Sequence, residues 1–194
     1  MAAVEEGSVR GALTPHHRRF LLLHAFLVAG VVNAALSALI AWLFAFSEDE
    51  IPLWAVPLVG GPSVGVDTIA TFFVLPFLTT LVITTVVWKE MEHERLPPMD
   101  LPRGSRLAKL PGTRLRRAAW IGLICMLLFG PLSAVVLSAI DFGDITVGQF
   151  VLYKAIFGVV LGGIVTPPIA IVAMSDPPEV RAHAAAAAPV TSQP

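Results

Sequence analysis

The sequence predicts an all-α membrane protein with four transmembrane helices and both termini cytoplasmic. Three observations carry this reading. Of the 194 residues, 56% are hydrophobic and 14% charged; the apolar residues gather into four long runs; and the basic residues lie on one side of those runs. A soluble domain is charged at about a quarter of its positions, so a water-soluble single core is excluded. A mean hydropathy of +0.78 excludes disorder. The one cysteine, Cys125, lies within an apolar run and has no partner for an intrachain disulfide.

A hydrocarbon layer of roughly 30 Å takes about 20 helical residues. Residues 1–19 read as a cytoplasmic segment, ending at Thr14-Pro15, an N-cap followed by a first-turn proline, and at His16-His17-Arg18-Arg19. The first span, Phe20 to Phe46, is far longer than the apolar core of a signal peptide. The second runs from about Asp67 to Trp88, the third from Ala118 to Ile140, and the fourth from Val147 to Met174. None alternates polar and apolar residues as barrel strands do. Residues 175–194, with Pro177-Pro178 and an alanine run, read as a flexible tail.

Charge fixes the expected orientation. The loop 89–117 holds eight Lys and Arg against four acidic residues, a net +4, whereas the two other connections hold only acids: Glu48, Asp49 and Glu50 in one, Asp141 and Asp144 in the other. The positive-inside rule puts the basic loop in the cytoplasm of a bacterial inner membrane, facing anionic lipid headgroups. Trp42 and Trp54 fall at the outer boundary, and Trp88 and Trp120 at the inner one. The basic loop has no aromatic residue between its charges on which a base could stack, so nucleic acid is not an expected partner.

Spans one and three each follow an Arg-Arg pair, and spans two and four each carry threonine late in the helix, so the chain reads as two weakly similar helical hairpins in the same orientation.

The candidate site residues are the polar groups within spans. Asn33 and Ser37 lie one turn apart on the first span, where an amide needs a partner. The second span carries six threonines, among them Thr71, Thr80 and Thr84, around Pro76; Thr80 is placed to bond back to the Pro76 carbonyl. Asp67 stands where an N-cap belongs, and Lys154, two turns past a Thr146/Gln149 capping box, is close enough to the outer headgroups to snorkel. An ion pair between the two would join spans two and four. Gly158 and Gly162 form a small-residue packing face that continues through Thr166 to Ala170, and Thr166-Pro167-Pro168 predicts a broken membrane helix. Asn33, Pro76, Gly130-Pro131 and Gly162-Gly163 all fall near span centres, which suggests one shared interior locus.

Enzyme chemistry is not expected: no histidine lies deep in a span or at metal-ligand spacing, Cys125 has no nearby base, and nothing calls for a metal or other cofactor. Two functional classes remain. One is a transporter, channel or permease-like subunit working through a midplane site between helices. The other is a non-catalytic accessory or assembly protein binding partner helices. Four helices enclose little interior, so a homo-oligomer or a partner membrane protein is expected in either class.

Overall fold

The computed structural model describes residues 15–56, 61–99, 110–111, 113–140 and 143–176. Its four long helices are α1 (Pro15–Ala45), α2 (Val64–Glu92), α3 (Arg114–Ile140) and α4 (Val147–Met174), each long and apolar enough to cross a membrane. Two short strands, β1 (Glu50–Ile51) and β2 (Ile145–Thr146), pair antiparallel and tie the two acidic connections together at one end of the bundle.

Each helix boundary has a local cause. Proline at the first position of α1 supplies a helical φ where no N–H bond is lost. Within α1, Leu21–Val28 is wound as π-helix, and nothing in that apolar stretch announces the wider winding. Its Phe26 ring lies against Gly163 of α4, where a Cβ would come within 2.8 Å. The helix α2 begins at Val64 because its first free N–H groups find carbonyls in the preceding loop: Val64 N donates to Pro52 O at 3.1 Å and Gly65 N to Leu53 O at 2.9 Å. Asp67 is therefore not the N-cap. Ser63 holds that position without a side-chain cap bond, and Asp67 sits one turn inside, where its charge still complements the helix dipole. The start of α4 is the capping box between Thr146 and Gln149.

The expected break at Thr166-Pro167-Pro168 does not occur, and α4 runs unbroken to Met174. Two prolines remove two backbone donors, yet Val165, Thr166, Ile169 and Ala170 around them are buried. Packing on both sides holds the turn against the local preference. In α2, Pro76 leaves the Phe72 carbonyl without its usual donor, and Thr80 Oγ1 donates to Pro76 O at 2.7 Å, adding a second bond to a carbonyl of the same turn.

The helices form a row in which α1 packs on α4, α4 on α2, and α2 on α3. Sequence neighbours α1 and α2 do not pair along their lengths, nor do α3 and α4, so the halves are not two closed hairpins. Exchanging first with third and second with fourth nonetheless leaves the packing pattern unchanged, and the β1–β2 ladder lies where such an exchange relates one connection to the other.

At the opposite end from the strands, each outer helix is tied to the segment following a central one. His17 of α1 meets Pro97 O at 2.8 Å, beyond α2. Arg117 of α3 meets Asp176, beyond α4. Ser175 and Asp176 thus belong to the folded body rather than to a tail, while residues 177–194 lie outside the described residues.

Candidate functional site

Because α1 leans on α4 instead of on α2, a slot is left with α1 and α2 as walls and α4 as floor. Its volume is about 770 Å³, and it extends from the turn at Gly61–Ser63 to Leu78 on α2 and Asn33 on α1. Leu36, Ile40, Phe44, Val66, Val74 and Leu78 give it apolar walls.

The polar groups of the slot are arranged in two clusters. Near the strand end, Lys154 Nζ lies 2.5 Å from Asp67 Oδ2 and also donates to Thr71 Oγ1. The Thr71 hydroxyl spends its own proton on Asp67 O at 2.7 Å, leaving a lone pair for the ammonium. Beside it, Thr68 donates to Val64 O at 2.6 Å, so at 2.8 Å Tyr153 O–H must be the donor to Thr68. The Phe157 ring centroid is 5.5 Å from Lys154 Nζ, a cation–π contact. The lysine does not snorkel: its side chain is 2% exposed, whereas that of Asp67 is 26% exposed. An ammonium removed from water needs a full set of partners, and here a carboxylate, a hydroxyl and a ring face supply them. Both residues line the slot, and the carboxylate is the more exposed of the two.

The second cluster closes the far end. Asn33 Oδ1 accepts from Thr79 Oγ1 at 3.3 Å, joining α1 to α2 where the helices otherwise stand apart. Behind it the small face of α4 receives α1: a Cβ on Gly158 would come within 2.7 Å of Asn33 O and 2.8 Å of Ser37 Oγ, and one on Gly162 would strike Asn33 Nδ2. The small-residue face therefore packs within one chain. Of the four expected central features, Asn33, Gly162 and the turn after Pro76 meet at this point. Gly130 faces Ile69 of α2 instead.

The remaining candidates lie apart from the slot. Thr80 bonds to its own helix, and Thr84 and Thr166 are fully buried with hydroxyls that lack hydrogen-bond partners. Sequence reasoning did not find Ser63, which is 3% exposed, lines the slot and has an unpartnered hydroxyl. Its signal is visible afterwards: a serine before an apolar helix is a capping residue by default, and once the loop carbonyls take the helix N–H groups its hydroxyl is left over.

Sequence reasoning also missed a second buried ion pair. Arg117 grips Asp176 with two bonds, NH2 to Oδ1 at 2.5 Å and NH1 to Oδ2 at 2.8 Å, and donates Nε–H to Pro111 O at 3.2 Å. Trp88 Nε1 adds a bond to Asp176 Oδ2 at 3.0 Å. By sequence alone Arg117 is a topological charge and Trp88 an interface marker; in the fold both are buried. In the acidic Glu92-His93-Glu94 turn, the His93 ring pairs with Lys89 O at 2.7 Å.

Compared with known protein families, curated proteins and solved structures, the chain matches none. Its function rests on the site itself.

Proposed function

We propose that this chain is a small integral membrane protein of the transporter, channel or permease-like kind, taking its substrate in the slot between α1 and α2. The observation that carries this reading is a charged pair within apolar spans whose acidic member is partly exposed to a cavity. Ionisable groups at membrane depth are costly and stand on pathways or binding sites more often than not, and a pair serving only to lock α2 to α4 has no need of an opening. The positive-inside rule supports an orientation, in this reading, with the slot's strand end outside and the termini in the cytoplasm of a bacterial inner membrane. The exposed apolar faces of α1 and α3 are covered by lipid in this reading. The accessory reading would put partner helices on those faces, but no feature of them prefers a protein to a lipid.

Substituted-cysteine labelling tests it. With Cys125 replaced by Ala, cysteines at Ala70 and Thr71 should react with a membrane-impermeant thiol reagent applied outside intact cells, as should Ser47→Cys, while Ser105→Cys should react only after lysis. Slot cysteines that stay unreactive from both sides would mean that lipid or protein fills the slot, and the transport reading would fall.

A further inference from the structure

From the shape and charge of the slot we infer its ligand class: a single-chain amphiphile with a hydrogen-bond-donating head, an ammonium or a hydroxyl, seated beside Asp67 and Ser63 with its tail running toward Leu78. This rests on the reading of the slot as the protein's ligand site. Shape comes first. The slot runs beside α2 from Ser63 to Leu78, about 22 Å at a rise of about 1.5 Å per residue, with a volume of about 770 Å³, which makes it long and narrow. Along that length the walls offer an extended alkyl chain Leu36, Ile40, Val66, Val74 and Leu78.

The polar end decides the head. Lys154 is spent on Asp67, Thr71 and the Phe157 ring and is 2% exposed, so it presents almost nothing to a ligand. Asp67 at 26% exposure presents an acceptor with negative charge. Next to it, one turn nearer the mouth, the buried Ser63 hydroxyl is without a partner and can accept or donate. A carboxylate or phosphate head would meet Asp67 as a like charge. At the other end the Asn33–Thr79 bond joins the two walls, and the buried Asn33 Nδ2, without a hydrogen-bond partner, packs against Gly162 of α4; between the two ends the walls are mainly apolar.

The test uses the full chain in phosphatidylcholine nanodiscs and three photoreactive probes with the same twelve-carbon chain, bearing a diazirine near the tail and an ammonium, hydroxyl or carboxylate head. Crosslinks are located by peptide mass spectrometry. Ammonium and hydroxyl probes should label α2 around Val74 and Leu78 about tenfold more than the carboxylate probe, a factor of the size one partly exposed charge contact gives. Asp67→Asn should remove the ammonium preference. Ala70→Phe, at an exposed wall position, should block all three probes while the protein stays folded. Equal labelling by the three heads would show ordinary lipid contact and overturn the inference, as would preference for the carboxylate or no crosslink in the slot. Selective binding with slot cysteines closed to water would keep the ligand and remove transport. Reactive slot cysteines with unselective crosslinking would do the reverse.

Discussion

The two buried ion pairs of this protein are built from the same kinds of charge and differ in what surrounds them. Arg117–Asp176 is closed: its side chains are 3% and 6% exposed, the contact is bidentate, and Trp88 and Pro111 occupy further positions on the two groups. Asp67–Lys154 is lopsided, with a sealed cation and an anion that reaches a cavity. A saturated pair can hold helices together but has nothing left to offer a ligand. An unsaturated one holds α2 to α4 and still keeps an acceptor available. Number of charges does not separate structure from function here; leftover bonding capacity does.

Four changes probe that contrast. The largest effect is expected at the closed pair. Arg117→Met or Asp176→Leu alone strands a buried charge and should cost about 3–5 kcal/mol, with the two singles equal and the double change much milder; folded fraction after detergent extraction and thermal melting would show it. A double variant as damaged as the singles would mean that the pair is not the reason. Next, the open pair should be asymmetric. Asp67→Asn leaves Lys154 sealed without a counter-charge and should approach the loss at Arg117, whereas Lys154→Met leaves a carboxylate that water in the slot can reach and should cost about 1–3 kcal/mol. Equal melting temperatures for the two variants would erase the distinction between closed and open.

Gly162→Leu drives a side chain into Asn33 and should cost about 1–3 kcal/mol through overpacking, opening the far end of the slot; unchanged melting would mean that α1 does not pack on this face. The smallest effect belongs to Thr80→Val, which removes one hydroxyl bond to the Pro76 carbonyl and should lower stability by about 0.5–1.5 kcal/mol without affecting ligand crosslinking. A loss of crosslinking there would place Thr80 in the site.

Much of the architecture was legible because span length and charge act locally. The apolar runs marked four helices, Thr146 and Gln149 marked the start of α4, and Asp67 with Lys154 stood out as the charged groups of the spans and as a candidate ion pair, although their position read as cap and snorkelling residue. What was not legible came from contacts across the chain. The loop carbonyls of Pro52 and Leu53 cap α2 and so displace Asp67 from the cap, release the Ser63 hydroxyl and lengthen the helix. Lys154 is sealed by groups from α2 and by Phe157, which no depth estimate from its own helix reveals. Pro167 and Pro168 follow the local rule for breakers, and tertiary packing overrules it. Asp176 looked like tail because Pro177-Pro178 follow it, and only the fold brings Arg117 and Trp88 to it.

The packing of α1 on α4 also sets a timetable for biosynthesis. On the ribosome Asn33 is made 125 residues before Gly158, the glycine it packs against. At about 5–20 residues per second that is an interval of roughly 6–25 s. During it α2 and α3 can already dock, but the first helix waits with Asn33 and Ser37 on a face that α4 has yet to cover. A chain halted before α4 can make the Thr79–Asn33 bond but lacks the glycine face that covers Asn33 and Ser37, so completion of the last helix is the step that buries this side of the first.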